Sequence, residues 1–180
     1  ARDDIKVYQE KRSYADAGEG TEVLRDDDEF YIAAIHNKGA ACSLGKGTDW
    51  CTAAPGLDYF SEYYKPEDPL FFFQQKKYPG PLRDKGRAQF HYGSLQFMDE
   101  NDSDLDDDDM HALHQRLMQT EAPHKYPIVK QYDRKMKIER EDTSPEDLHQ
   151  LVEDDMTHYE ELVDIALHDN VSEESLRKLM

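Results

Sequence analysis

The sequence predicts an α+β fold, with a small antiparallel sheet followed by a helical, strongly acidic C-terminal region. Short aromatic or β-branched runs, separated by turn residues, recur between residues 21 and 98, which is typical of antiparallel strands. After residue 110 the apolar residues change to helical spacing. The charge changes as well, because residues 1–90 carry 13 Lys/Arg against 16 Asp/Glu, whereas residues 91–180 carry 9 against 24.

A hairpin is predicted near the N-terminus, after a polar arm of residues 1–20. Residues 21–25 form its first strand, and the three aspartates at 26–28 form the turn. Residues 30–35 are a continuous apolar run rich in aromatic and β-branched side chains, which favours a buried strand.

The segment from residue 45 to residue 53 is predicted to be the centre of the fold. It holds the single tryptophan, Trp50, followed directly by Cys51. The small residues 40–44 predict a short helix that the following glycine ends. Trp50 then begins a strand or turn, and residues 58–64 predict a short aromatic helix that prolines end.

The remaining strands of the predicted sheet lie at residues 70–74, 88–92 and 95–98. The Pro- and Gly-rich residues 76–87 are expected to form a solvated hairpin loop, and a second turn falls at Gly93 and Ser94. Alternation along the last strand places Leu95 and Phe97 on one face.

An acidic run marks the predicted boundary between sheet and helices, with eight acids in the eleven residues 99–109. Helical spacing follows, since Met110, Leu113 and Leu117 fall at i, i+3 and i+7. Further helices are predicted at 128–140, at 144–170 with Ser144 as N-cap, and at 172–180. The expected organisation is a polar arm at 1–20, an α+β core domain at 21–105 and an acidic helical region at 106–180.

Composition limits the partners and the location that we expect. The net charge of −18 disfavours direct binding of nucleic acid and favours a protein with a basic surface, or a metal cation, as partner. No apolar run reaches the roughly 20 residues that span a bilayer, so no membrane partner is expected. Two cysteines are too few for a disulfide framework, although a single Cys42–Cys51 bridge stays open. We expect a soluble, intracellular protein.

Cys51 is the sharpest candidate for catalysis. A thiolate nucleophile needs a base or a positive field, and His91 is the predicted base, with His36 as a second candidate. Thr48, in the glycine loop, is the candidate for holding an oxyanion. The competing interpretation is that Cys51 is a small buried hydrophobic residue behind Trp50.

Metal and nucleotide sites are weaker hypotheses, and neither a metal nor a cofactor is predicted. A zinc site from Cys42, Cys51, His36 and His91 lacks a Cys-x-x-Cys pair. The acidic run has Asp104 where a calcium loop needs glycine. The stretch His91-Tyr92-Gly93-Ser94 is similar to the His-Gly-Ser strand of ADP-ribosyl transferases, but Tyr92 interrupts the match.

A binding surface is the alternative to catalysis. Carboxylates along a helix can imitate DNA phosphates and occupy the basic groove of a host protein. The candidate binding residues combine the acidic run with the tryptophan segment and its neighbours: Trp50, Lys46, His36, Asp106, Asp107 and Asp108.

The order of these motifs resembles a group of proteins encoded by tailed bacteriophages, over roughly residues 21–105. The matching residues form three short motifs: Gly45, Gly47, Thr48, Trp50, Cys51 and Thr52; Gln89, Phe90 and His91; Gln96, Phe97, Met98 and Asp99. The resemblance implies a viral origin and one α+β domain, and it supplies no mechanism. The predicted function is a phage-type accessory protein in the host cytoplasm, which binds a host or viral protein with a basic surface through its own acidic surface. A Cys51-centred hydrolase or transferase and a component of the virion are the alternatives.

Overall fold

The computed structural model describes residues 18–83, 86–139, 144–153 and 172. Contacts between Cα atoms divide the chain into two compact units, residues 1–128 and 129–180. The predicted division near residue 105 stays a prediction. The predicted arm up to residue 17 lies outside the described residues.

The first unit contains a five-stranded antiparallel sheet, which confirms the predicted α+β class. Its strands follow one another in space as they do in sequence, in the order β1-β2-β3-β4-β5. Their bounds are β1 Thr21–Asp26, β2 Phe30–Ile35, β3 Leu70–Gln75, β4 Arg87–His91 and β5 Gln96–Asp99. Each pair of neighbours is antiparallel, so short connections suffice and no crossover is needed.

The chain also forms several short helices. In the described residues the helices are α1 Lys38–Leu44, α2 Phe60–Tyr63, α3 Asp107–Met118, α4 Ala122–Lys125, α5 Pro127–Glu139 and α6 Pro145–Glu153. A 3₁₀ turn, Cys51–Ala53, lies between α1 and α2. None of the described helices is long and apolar enough to span a membrane.

Both faces of the sheet are covered, which explains why β2 and β3 are buried along their whole lengths. On one face Ala33, Ile35 and Phe72 form a cluster with Trp50 and with residues of α1 and α2. On the other face the ring of Phe71 packs edge-on against Tyr92 and Tyr126. Continuous apolar runs are expected of strands buried on two sides.

The two connections around β4 correct the sequence interpretation. The connection after β3 is not wholly solvated, because Leu82 is only 4% exposed and its backbone N–H donates to Gln75 Oε1 at 2.9 Å. Leu95 does not share a face with Phe97. It lies in the turn with a φ of 53° and is 56% exposed, so β5 begins one residue later, at Gln96.

Two predicted helix signals are confirmed, the apolar spacing of Leu113 and Leu117 and the cap at Ser144, and the structure adds a cap at Asp106. Asp106 caps α3 by accepting a hydrogen bond from the Asp109 N–H at 2.9 Å, and Leu113 and Leu117 are fully buried. Ser144 caps α6 by accepting from the Asp147 N–H at 3.1 Å. The helices expected beyond residue 153 lie outside the described residues.

Candidate functional site

Trp50 is buried against the sheet, as predicted, with 2% of its surface exposed. Its ring meets Phe72 edge-on at a centroid distance of 6.1 Å. Its Nε1–H donates to the carbonyl of Asp99 at 2.6 Å. Gly45 makes room for it, because a Cβ there would lie 2.4 Å from Ala53 Cβ and 3.2 Å from the indole. Trp50 is therefore a core residue and offers little surface to a partner.

The glycine loop before Trp50 is held together internally. The hydroxyl of Thr48 donates to the Gly45 carbonyl at 2.6 Å, so it already has a partner within the loop. Gly47 has a φ of 81°, a conformation that glycine adopts without steric cost. Arg87 donates to the carbonyl of Lys46 at 2.8 Å and ties the loop to β4, while the Lys46 side chain is exposed.

Cys51 lies half-buried in the 3₁₀ turn beside Trp50, and both Cys51 and Cys42 are free thiols. Burial, followed by the negative charge of Asp102, raises the pKa of the Cys51 thiol. Both effects disfavour the thiolate, which weighs against a nucleophilic role. The next residue, Thr52, is buried and donates to Gln89 Oε1 at 2.8 Å.

His91 has contacts other than the predicted one with Cys51. Its Nδ1 lies 2.6 Å from Ser94 Oγ, and its Nε2 lies 3.1 Å from Asp68 Oδ2. The ring of Tyr63 packs edge-on against it at 5.4 Å. Among the described residues, these are the side chains that the structure brings to the imidazole, and Cys51 is not one of them.

His36 belongs to a separate polar cluster at the end of β2. Its Nε2 lies 3.0 Å from Tyr126 Oη and 3.3 Å from Glu22 Oε2, and Tyr126 Oη donates to Glu22 at 2.6 Å. Burial alone would raise the pKa of Glu22, but hydrogen bonds from Lys125, Tyr126 and His36 lower it overall. These contacts fasten α4 to the first hairpin, which is a structural role.

The acidic loop, residues 99–109, lies directly beside the tryptophan. Its start is anchored, since the Asp99 carbonyl accepts from Trp50 and the Glu100 carbonyl accepts from the Asp49 N–H at 3.0 Å. Seven of its residues are exposed, including all three predicted binding aspartates, and Leu105 among them is half-buried. The exposed residues are Asn101, Asp102, Ser103, Asp104, Asp106, Asp107 and Asp108.

Like charges crowd this loop. Burial and the charges of Asp49, Asp99 and Asp104 raise the pKa of Asp102. Burial and Asp106 likewise raise the pKa of Asp109. No group of three or more His, Cys, Asp or Glu side chains in the described residues has an arrangement that could hold a metal ion.

Sequence reasoning missed the partners of both histidines. Asp68 and Ser94 meet at His91 although 26 positions separate them, and Glu22 meets Tyr126 across 104 positions. The proximity of Ser94 to His91, three residues apart across a turn, was the one local signal available. No protein-family model, curated protein or solved structure matches this chain.

Proposed function

We propose that this chain is a phage-type accessory protein that binds a basic host or viral protein through the acidic loop, residues 99–109. The supporting observation is that the loop holds like charges close together on an anchored backbone. Partial burial, followed by the negative charges of Asp49, Asp99 and Asp104, raises the pKa of Asp102, so the ionised loop carries a free-energy cost in the free protein. Lysine or arginine side chains of a partner would relieve that cost on binding.

The anchoring of the loop adds to this argument. The Trp50 hydrogen bond to Asp99 fixes the start of the loop, and α3 fixes its end through the Asp106 cap. A loop that is already ordered loses less conformational entropy on binding than a free acidic tail would. The exposed carboxylates therefore form a patch with a defined arrangement.

The net charge also favours steered association. A chain with a formal charge of −18 attracts cationic surfaces over a distance of about 8–10 Å at physiological ionic strength. The same field repels the phosphates of nucleic acid. A basic protein is thus the class of partner that this surface fits.

The test is affinity capture with the immobilised chain from a bacterial lysate, followed by binding measurements with each purified candidate. We expect a basic protein whose affinity falls steeply between about 50 mM and about 500 mM salt. The variant Asp106→Asn/Asp107→Asn/Asp108→Asn should weaken that binding by about tenfold, mainly through a slower association rate. Asparagine at position 106 preserves the helix cap.

A matched control removes three exposed acids elsewhere in the first unit. Asp28→Asn/Glu62→Gln/Glu67→Gln changes the net charge by the same amount and leaves the acidic loop intact. The proposal requires the control to bind nearly as well as the unchanged chain. Equal losses of affinity in both variants would mean that overall charge, and not the acidic loop, governs binding. Failure to capture any basic partner with salt-sensitive affinity would refute the proposal.

A further inference from the structure

Near the turn between β4 and β5, an imidazole lies between a hydroxyl and a carboxylate and contacts both. Ser94 Oγ lies 2.6 Å from His91 Nδ1, and His91 Nε2 lies 3.1 Å from Asp68 Oδ2. Neither the acidic loop nor Cys51 takes part in this arrangement. The candidate nucleophile contacts the candidate base, and the base contacts a carboxylate, which is the order of contacts found in acyl-transfer sites.

A backbone hydrogen bond determines which nitrogen of His91 carries the proton. The N–H of Ser94 donates to Nδ1 at 3.2 Å, so Nδ1 presents a lone pair. The neutral ring is therefore protonated on Nε2, the nitrogen that faces Asp68. The hydroxyl of Ser94, at 2.6 Å, is the nearer of two donors that share this lone pair, and a base in contact with a hydroxyl is the arrangement that general-base catalysis needs.

The imidazole of His91 and the carboxylate of Asp68 form a buried pair behind the hydroxyl. The Nε2–Oδ2 contact is close but lacks hydrogen-bond alignment, and both His91 Nε2 and Asp68 Oδ1 are buried without a hydrogen-bond partner. Such groups are costly in the resting state. When His91 takes the proton of Ser94, the positive charge of its ring lies beside the Asp68 carboxylate, with Nε2 at 3.1 Å from Oδ2, and the carboxylate stabilises the imidazolium that forms.

The fold buries the carboxylate and the imidazole and leaves the serine hydroxyl accessible to solvent. Asp68 and His91 are 4% and 6% exposed, whereas Ser94 is exposed. The Gly93 N–H donates to Asp68 Oδ2 at 3.0 Å, and a Cβ on Gly93 would lie only 2.1 Å from that oxygen. A substrate can therefore reach the hydroxyl while the base and its carboxylate stay in place.

We propose that Ser94 is a nucleophile that cleaves uncharged carboxylic esters, with His91 as its base and Asp68 as a positioning residue. Ser94 Oγ forms a bond to the carbonyl carbon while its proton passes to His91 Nδ1. The bond from that carbon to the leaving oxygen then breaks, and the proton moves from Nδ1 to the departing alcohol. Water, activated by the same nitrogen, hydrolyses the acyl-serine and releases the carboxylic acid.

The surroundings define the class of substrate. Leu95, next to Ser94, is 56% exposed and offers an apolar contact to an acyl or aryl group. The net charge of −18 disfavours anionic substrates. A neutral aryl ester is therefore the simplest substrate to measure.

The test is covalent labelling with a fluorophosphonate, in which Ser94 Oγ displaces fluoride from phosphorus. Intact mass and peptide mapping should show one label on Ser94. The control Ser61→Ala should label as the unchanged chain does, since Ser61 Oγ donates to Asp58 and has no imidazole beside it. Ser94→Ala should lose the label, and its fold should persist because the backbone N–H at position 94 still reaches Nδ1.

Two further variants separate catalysis from turn structure. His91→Gln should slow labelling and the hydrolysis of a nitrophenyl ester by about a hundredfold or more. Asp68→Asn should shift the pH profile of labelling, a readout that a purely structural role would leave unmoved. Circular dichroism checks that each variant is folded. The proposal is overturned if Ser94 in the unchanged chain labels no faster than Ser61, or if labelling is the same with and without the imidazole.

Discussion

The tryptophan segment and the acidic loop are neighbours with opposite properties. Trp50 is 2% exposed and packs on the sheet, whereas Asp107 and Asp108 are open to solvent. Two hydrogen bonds join the two regions, one from the indole to the Asp99 carbonyl and one from the Asp49 N–H to the Glu100 carbonyl. The rarest residue in the chain thus contributes mainly to stability, and the commonest charge type forms the surface that a partner can reach.

This difference means that a substitution in one region should affect stability and a substitution in the other should affect binding. A buried aromatic side chain contributes through its lost contact with water and its dense packing. Exposed carboxylates contribute little to stability but govern association with a charged partner. The largest loss of stability is expected at Trp50.

Replacing Trp50 by alanine should lower the free energy of unfolding by about 3–5 kcal/mol, because it leaves a large cavity against Phe72. Urea denaturation followed by circular dichroism measures the change. Leu57→Ala is the control, since Leu57 is 54% exposed and its loss should cost less than about 0.5 kcal/mol. Similar small effects at both positions would show that the indole is not a core residue.

The buried hydrogen bond between Thr52 and Gln89 should give the next largest effect. Thr52→Val leaves Gln89 Oε1 without its donor and should cost about 1–3 kcal/mol in urea denaturation. Adding Gln89→Leu removes the stranded amide and should recover part of that loss. A double variant whose cost is the sum of the two single costs would contradict this coupling.

The contributions of Asp27 and Asp102 to the free energy of unfolding should change with pH in opposite directions. Burial alone would raise the pKa of Asp27, but hydrogen bonds from Phe30, Arg25 and Glu29 lower it to about 2. Its ionised form therefore stabilises the fold above the ordinary carboxyl pKa, and that contribution is lost as pH falls toward 2. Asp27→Asn should cost about 1 kcal/mol at neutral pH and much less in acid.

The raised pKa of Asp102 reverses this sign, because its ionised form destabilises the fold at neutral pH. Asp102→Asn should raise the stability at pH 7 by a few tenths of a kcal/mol, roughly the value of an exposed charge interaction. The pH-dependent part of that gain should disappear as pH falls below the ordinary value of 3.8. Thermal unfolding of both variants across pH measures the two trends, and parallel trends would refute the assignment.

Local signals predicted most of the fold. The strand at 30–35 could be predicted because it is a continuous apolar run, and the start of α6 could be predicted because its cap, Ser144, lies three residues from the N–H that it accepts. Leu95 was misplaced because alternation alone does not reveal a left-handed turn residue. The end of the turn becomes visible in the pairing of β4 with β5, where His91 lies opposite Gln96.

The candidate sites were less predictable, because they depend on contacts between distant residues. Trp50 and His91 were recognised as residues of interest from their type and surroundings in the sequence. Their partners, Asp99 and Asp68, become visible only once the sheet is assembled. Cys51 is a further case, since its pKa is raised by burial in the folded chain and by a carboxylate 51 positions away.

That carboxylate gives the smallest effect and links the two regions compared above. Burial and the charge of Asp102 together raise the Cys51 pKa, so iodoacetamide should alkylate Cys51 more slowly in the folded chain than in urea. A Cys42→Ser background isolates this thiol. Adding Asp102→Asn should increase the folded-state rate about twofold at low salt, since it removes one nearby negative charge. Asp28→Asn should leave the rate unchanged. A folded thiol that reacts faster than the unfolded one would instead restore Cys51 as a nucleophile.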